Sequence, residues 1–193
     1  FLQLSAQNNI QVCIPTTPAQ MFHLILRQYY RTFTRPLIVM TPKSLLRNPA
    51  ATSSYDTLVK SKFEVILEHK PQKVDDNRVI ICTGKVYYDL LAFQTENKHN
   101  FTLIRLEQLY PFPDSELKKI LKKYSKTEKF IWCQEEPINQ GAWFVLRSRM
   151  NACLPDQKQL IYVGRDATAS PAVGYYSRHL EEQKKLVHDA FNV

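Results

Sequence analysis

Short apolar runs alternate along the chain with longer stretches in which apolar residues recur at a helical spacing. The runs predict buried strands at residues 11–15, 37–40, 79–82, 101–106, 130–133 and 160–163. The periodic stretches predict helices at residues 18–34, 84–96, 113–124, 140–150 and 174–191. Strands that alternate with helices over ~25–30 residues each favour an α/β fold, with a mostly parallel sheet and helices on both faces.

The first helix carries a clear start signature. Thr17 is a favourable N-cap, and Pro18 suits the first helical position. Pro36 ends the helix before the strand at 37–40, and a second Thr-Pro pair precedes a short helical turn at 43–47. Strand, helix and strand in this order predict a parallel β-α-β unit.

Residues 48–78 separate this unit from the later strands and helices. Their sequence is mixed and polar, and it shows one short helical pattern near residues 55–60. We therefore expect three parts: a first unit at 1–47, a connector at 48–78, and a larger α/β domain at 79–193.

Composition adds bounds to this picture. The chain has 193 residues with 44% hydrophobic content, and no apolar run approaches the ~20 residues that a membrane helix needs. Because the first residue is Phe1 and not methionine, we expect a fragment or a processed chain. The cysteines (Cys13, Cys82, Cys133 and Cys153) lack CxxC spacing, and three lie in apolar runs. This pattern predicts buried free thiols in a reducing cytoplasm.

The charge balance points to an anionic partner. There are 26 basic and 18 acidic residues, a net charge of +8. Nucleic acid, a phosphorylated metabolite and an acidic protein all fit this charge, although no nucleic-acid motif is present. The five histidines show no ligand spacing, so no metal site is expected.

Two adjacent carboxylates, Glu135 and Glu136, follow the strand at 130–133 and precede a helix. Ligands and interfaces occupy this edge of open α/β sheets. A general acid/base pair is one interpretation, but adjacent side chains point in different directions. A structural ion pair is the favoured alternative, with Arg105 or Arg165 as the partner at a neighbouring strand end.

Two basic faces are visible in the predicted helices. Arg27, Arg31 and Arg35 recur every fourth residue and share one face if the helix continues that far. A second face is made of lysines (Lys118, Lys119, Lys122 and Lys123). Each face alone is typical of a solvated surface, and together they are compatible with a phosphate-bearing effector.

Several stretches also carry a family resemblance. They are Arg35-Pro-Leu-Ile-Val-Met-Thr-Pro-Lys-Ser-Leu-Leu-Arg47, Gly84-Lys-Val-Tyr-Tyr-Asp-Leu90, Arg105-Leu-Glu-Gln-Leu-Tyr-Pro-Phe-Pro113, residues 132–143, and Ala169-Ser-Pro-Ala-Val-Gly-Tyr175. In these motifs the chain resembles the C-terminal part of the E1 components of bacterial-type 2-oxoglutarate dehydrogenase complexes, over essentially its whole length.

The resemblance implies a transketolase-like enzyme that uses thiamine diphosphate and magnesium. Such an enzyme decarboxylates 2-oxoglutarate and passes the succinyl group to lipoamide on the E2 dihydrolipoyl succinyltransferase, in the tricarboxylic acid cycle. Residues 1–47 would end its pyrimidine-binding domain, and residues 79–193 would form its transketolase-type C-terminal domain. Cofactor and catalytic residues would lie outside this chain, so none is assigned here.

The resemblance also implies a homodimeric, cytoplasmic parent enzyme, and a chain that is structural and inactive alone. Some family members bind AMP or acetyl-CoA as an effector in this region, and Arg31, Arg35, Lys119 and Lys122 are the expected contacts. The alternative function is a free-standing module that binds an adenine nucleotide through its basic patches. A nucleic-acid binder is a weaker third hypothesis that rests on charge alone.

Overall fold

A computed structural model describes residues 1–71 and 77–193. Within these residues the α/β architecture predicted from the sequence is confirmed. Two sheets are present, one of three strands and one of five. The five residues 72–76 of the predicted connector lie outside the described part of the chain.

The smaller sheet is built mainly from the first β-α-β unit. Strand β1 (Gln11–Cys13) pairs in parallel with β2 (Leu37–Val39), and helix α1 (Pro18–Tyr30) connects them. Strand β6 (Gln108–Tyr110) pairs antiparallel with the other edge of β1. The first unit is thus joined by backbone hydrogen bonds to a strand almost 100 residues later in the chain.

The larger sheet has the strand order β3-β5-β4-β7-β8. Its members are β3 (Ile66–His69), β4 (Arg78–Cys82), β5 (Thr102–Leu106), β7 (Lys129–Pro137) and β8 (Leu160–Arg165). All neighbours are parallel except β3, which lies antiparallel at one edge.

Helices cover both faces of the larger sheet, because residues alternate sides along each strand. In β4, Val79 and Ile81 pack towards α4 (Asp114–Leu121) and α5 (Trp143–Cys153). Ile80 and Cys82 pack on the opposite side, towards α3 (Val86–Glu96) and α6 (Tyr176–Asn192). These two apolar layers form the core. All four cysteines are buried and free, as the sequence predicted.

Short helices complete the chain. They are α2 (Tyr55–Lys60) and 3-10 helices at Leu2–Leu4, Lys43–Arg47, Lys122–Tyr124 and Pro155–Gln157. In the part of the chain that is described, no helix combines the length and apolar character that crossing a membrane requires.

Several sequence predictions need correction. Strand β7 continues to Pro137, so Glu135 and Glu136 lie within the strand and not after it. Helix α1 ends at Tyr30, and Arg31 already has an extended backbone, so the helix does not reach residue 34. Pro36 disfavours helical geometry at the residue before it, and two threonines weaken the intervening turn. Strands β3 and β6 were not predicted, because runs of four and three residues carry little periodic signal.

Candidate functional site

An open groove of about 420 Å³ lies where strands of both sheets end. Ile14 follows β1, Met40 follows β2, Thr83 follows β4, and residues 139–142 follow β7, and all of them line the groove. The carboxyl ends of parallel strands are where α/β proteins most often place ligands. The groove is therefore the first candidate site.

The chemistry of the groove is limited. Its walls are formed mostly by apolar residues, with one carboxylate, Glu136, and the side-chain amides of Gln3, Asn139 and Gln140. Although Glu136 reaches solvent through the groove, the protein packed around it raises its pKa, and Glu135 adds to the rise. The one side-chain hydroxyl among the described residues of the groove, that of Thr83, donates to the Leu106 carbonyl at 2.7 Å. Among the described lining residues no histidine, cysteine or lysine accompanies these groups. The groove can hold a ligand, but it lacks a nucleophile with its base.

The loop beside the groove is shaped by the buried amide of Gln134. Its oxygen accepts from the Trp132 indole at 3.0 Å and from the backbone N–H of Trp143 at 3.1 Å. Its nitrogen donates to the carbonyl of Gln140 at 3.0 Å and to two further carbonyls. Gly141 completes the turn with φ +67°. One side chain thus contacts four backbone polar groups of the loop.

Glu135 forms an ion pair with Lys85, which precedes α3. Both side chains are largely buried, with 31% and 18% exposure for the lysine and the glutamate. Gln183 from α6 donates to Glu135 at 3.0 Å and to Asp89 at 2.8 Å. The cation that pairs with Glu135 is therefore Lys85 and neither of the predicted arginines.

Arg165 takes other partners as well. It lies 3.4 Å from the Glu182 carboxylate and donates to Gln183 at 3.0 Å. Together with Arg178 it lines a small cavity of about 130 Å³ between β8 and α6. No direct ion pair joins Arg165 to Glu135 or Glu136 among the described residues. Instead Gln183 of α6 contacts both Arg165 and Glu135, and Arg165 is a neighbouring charge that opposes the rise in the pKa of Glu136.

Arg105 belongs to a buried polar cluster that joins the two sheets. Its guanidinium donates to the Thr16 hydroxyl at 2.9 Å and stacks 3.7 Å from the centre of the Tyr87 ring. The carboxylate of Glu107, which is fully buried, accepts from the Thr16 N–H at 2.8 Å and from Gln20 at 3.3 Å. Burial raises the pKa of Glu107, and Arg105 and these donors oppose the rise.

Glu107 escaped the sequence-based search for functional residues. Glu107 directly follows the apolar strand β5 (Thr102–Leu106), and this position could have indicated a buried carboxylate. A buried carboxylate needs hydrogen-bond or charged partners. The partner Thr16 is 91 positions away in sequence, so the pair could not be recognised from the sequence alone.

The three arginines do not form a helical ladder, yet they still cluster. Arg27 donates to Gln108 at 2.8 Å, Arg31 donates to Gln11, and Arg35 donates to the Asn8 carbonyl. The cluster forms because the chain folds back after α1, where Gln28 holds the Arg35 carbonyl at 2.8 Å.

Electrostatics in this arginine cluster are unfavourable. Burial lowers the pKa of Arg27, and Arg31 adds to the lowering; burial likewise lowers the pKa of Arg31, with a contribution from Arg35. In the described residues no carboxylate forms an ion pair with any of the three. Three close cations with neutral acceptors form a favourable place for an anion.

Lys119 and Lys122 lie elsewhere. Both are exposed, at the end of α4 and the start of the following 3-10 helix. No hydrogen bond or ion pair of the described residues connects them to the arginine cluster. The four predicted effector contacts therefore divide into two separate surfaces.

Comparison with solved structures defines the class of protein. A structure described as a split-gene transketolase in an inactive beta4 tetramer matches with a TM-score of 0.62. The match covers 95% of this chain and 57% of that chain at 14% identity. The chain therefore has a transketolase-like α/β fold.

Sequence profiles identify the family. The family described as 2-oxoglutarate dehydrogenase C-terminal matches residues 52–191, and the transketolase pyrimidine binding domain matches residues 2–49. The chain belongs to the 2-oxoglutarate dehydrogenase C-terminal family, which confirms the resemblance seen in its motifs.

Relatives agree along the whole chain. The 2-oxoglutarate dehydrogenase E1 component of Coxiella burnetii is 50% identical, over 100% of this chain and 21% of that protein. The E1 component of Cupriavidus necator is 52% identical, over 99% of this chain and 20% of that protein. The chain spans about a fifth of the length of the curated relatives it matches.

Proposed function

We propose that the chain is the carboxyl-terminal part of a 2-oxoglutarate dehydrogenase E1 component. Identity of about half with E1 components, along the entire chain, is the observation that carries this proposal. The parent protein would decarboxylate 2-oxoglutarate and transfer the succinyl group to lipoamide on its E2 partner. The free-standing nucleotide-binding module lacks comparable support.

This stretch would contribute structure and regulation to the enzyme, and no catalytic group. The groove holds a lone carboxyl, and Glu107 is already engaged by Thr16 and Gln20. Residues 1–47 would complete a pyrimidine-binding domain, and residues 79–193 would form the domain that follows. Homodimer formation and a cytoplasmic location belong to the same proposal.

Thiamine diphosphate and magnesium would serve the parent enzyme, where the cofactor supplies the carbanion stabilisation that decarboxylation needs. The donor set described here does not fit a complete site for them. Across residues 1–71 and 77–193, no three His, Cys, Asp or Glu side chains are grouped to hold a metal. We therefore assign no step of the reaction to these residues through the cofactor.

The length of the reading frame gives an independent test. If the proposal holds, the coding sequence extends far upstream of the codon for Phe1, towards the length of the relatives. A reading frame that starts near that codon would overturn the proposal, because a chain of this length lacks most of an E1 enzyme.

We also propose that the arginine cluster binds a phosphate-bearing effector, AMP or acetyl-CoA. Support comes from the close approach of Arg27, Arg31 and Arg35 and from their neutral partners. A phosphate would relieve the mutual repulsion of the three guanidiniums and would accept from them in a bidentate manner.

Calorimetry with AMP and with acetyl-CoA tests this site. We expect Arg31→Ala and Arg35→Ala to weaken binding by about tenfold each, as the loss of a charge-assisted contact predicts. Arg47→Ala removes the same charge from an exposed position and is the control. Unchanged affinity in both arginine variants would contradict the proposed site. If only the double variant Lys119→Ala/Lys122→Ala loses affinity, the effector binds at α4 and not at the arginine cluster.

A further inference from the structure

A lysine surface lies at the end of α4 and along the turn that follows it. We define this lysine surface as Lys118, Lys119, Lys122, Lys123 and Lys126, all of which are exposed. Six lysines and one glutamate occupy the twelve residues 118–129. The stretch therefore holds a large share of the net charge of +8.

Little in the described structure compensates this charge. Lys123 pairs with Glu68 at 2.9 Å. Within residues 1–71 and 77–193, no ion pair or hydrogen bond engages the ammonium groups of Lys118, Lys119, Lys122 or Lys126. Lysines one helical turn apart, such as Lys118 and Lys122, repel each other, whereas their position at the carboxyl end of α4 favours them through the helix dipole. Their ammonium groups therefore remain available to an anionic partner.

Further cations surround the lysine surface. Lys70 is exposed, and its ammonium lies 5.7 Å from the centre of the Tyr124 ring, beside the same 3-10 helix. Burial alone would raise the pKa of Glu68. Hydrogen bonds from Tyr124 and Lys123, together with the positive charges of Lys123 and Lys70, outweigh burial and lower this pKa. The positive potential therefore extends beyond α4 to the edge strand β3.

This surface lacks the features of a nucleotide pocket among the described residues. Neither the groove nor the small cavity includes any of its residues. The one aromatic ring in the stretch, Tyr124, is buried and cannot stack on a base. The nearest arginine on the neighbouring helix, Arg149, is already held by Asp114 at the start of α4.

The cations are all lysines, and this selects the kind of partner. Arginine provides the planar, bidentate fork that suits phosphates, whereas lysine is a compact, hydrated point charge. An open array of hydrated charges steers and orients an oppositely charged surface, and its effect is mainly on association rate and salt dependence. Protein carboxylates, spread over an acidic domain, match such an array better than closely spaced phosphates do.

We propose that the lysine surface is an electrostatic docking surface for an acidic protein domain. The contact is transient and long-range, and it leaves the groove and the arginine cluster free. It does not depend on the function proposed above, because it follows from charge and exposure alone. Binding through this surface weakens steeply as added salt shortens the screening length, from ~10 Å at 0.1 M to ~3 Å at 1 M.

Poly-L-glutamate of fixed length is the probe for this test, and fluorescence anisotropy reports its binding to the whole chain. The test variant reverses three charges of the surface, Lys118→Glu, Lys119→Glu and Lys122→Glu. The matched control reverses three exposed lysines elsewhere, Lys43→Glu, Lys62→Glu and Lys184→Glu. We expect the test variant to bind about tenfold more weakly than the control, because only it removes local complementarity.

Two outcomes would overturn the proposal. Equal weakening in both triple variants would mean that net charge alone attracts the polyanion. Tighter binding of duplex DNA of equal charge, with the same loss in the test variant, would identify a nucleic-acid surface instead. Circular dichroism checks that both triple variants remain folded. If either unfolds, glutamine replaces glutamate at all three positions in both variants, so that test and control stay matched.

Discussion

At the scale of single residues, the loop beside the groove depends on one amide and one glycine. Gln134 satisfies donors and acceptors on three sides of the loop. Gly141 has φ +67°, and an added Cβ would lie 3.0 Å from the Gln134 amide nitrogen and from Glu136 Cβ. The glycine is therefore required both for backbone geometry and for space.

Gly141→Ala should lower the free energy of unfolding by about 1–3 kcal/mol, because a side chain is strained in this left-handed conformation. Gly174→Ala is the matched control, since a Cβ there meets nothing within 4 Å. The control should be neutral or more stable by roughly 0.4–1 kcal/mol. Urea denaturation measures both, and equal stability of the two variants would contradict the role of Gly141.

A second prediction at this scale concerns Glu107 and the pH dependence of stability. Burial raises the pKa of Glu107 above its ordinary value of 4.5, so the folded chain binds this proton more tightly than the unfolded chain. The resulting contribution to stability is complete below about pH 4.5 and is lost as the pH rises through the folded pKa.

Glu107→Gln removes this titration. The difference in the free energy of unfolding, wild type minus variant, should therefore decrease as the pH rises above about 4.5. Urea denaturation at several pH values measures it, with the exposed Glu116→Gln as the control. A difference that increases with pH would show that Thr16, Gln20 and Arg105 lower the pKa more than burial raises it.

At the scale of elements, side-chain pairs at strand ends connect the sheet to its helices. Lys85 at the start of α3 pairs with Glu135 at the end of β7, and Gln183 of α6 contacts the same carboxylate. Through Lys85 and Gln183, the Glu135 carboxylate thereby connects both α3 and α6 to the sheet.

A double-mutant cycle with Lys85→Met and Glu135→Gln measures this coupling. We expect roughly 1 kcal/mol, because partial burial reduces screening by water and salt. The pair Lys60 and Asp56 is the control, with side chains 72% and 71% exposed, and its coupling should be about 0.3–0.5 kcal/mol. If the two coupling energies are equal, the strand-end pair has no special structural role.

The elements also show where sequence reasoning succeeds. Strands and helices of the larger sheet follow from apolar periodicity. The inner strands β4, β5 and β7 are largely buried on both faces and contain continuous apolar runs. The edge strand β8 is only partly buried, but it begins with a clear apolar run. Strands β3 and β6 are short and lie at sheet edges, so local sequence gives little signal. The early end of α1 reflects weak local propensity and a fold-back held by Gln28.

The candidate site was harder to predict than the fold. The sequence predicted an ion pair for Glu135 with Arg105 or Arg165, whereas its cation is Lys85. The choice among several strand-end cations depends on tertiary packing. The pairing of Glu107 with Thr16 depends on contact between two sheets. Such contacts are fixed by tertiary packing, which a pattern along one chain does not encode locally.

At the scale of the whole molecule, the two sheets are joined by β6 and by the cluster around Glu107. The carboxyl ends of their strands meet at the groove. This architecture and the family membership agree with our proposal that the chain is the carboxyl-terminal part of a larger enzyme.

Release of carbon dioxide from 2-oxoglutarate tests this central claim most directly. The assay compares the 193-residue chain with the longer protein that contains it, each with thiamine diphosphate and magnesium. We predict release by the longer protein and none above the enzyme-free control by the chain alone. Turnover by the chain alone, or a longer protein that does not act on 2-oxoglutarate, would contradict the account.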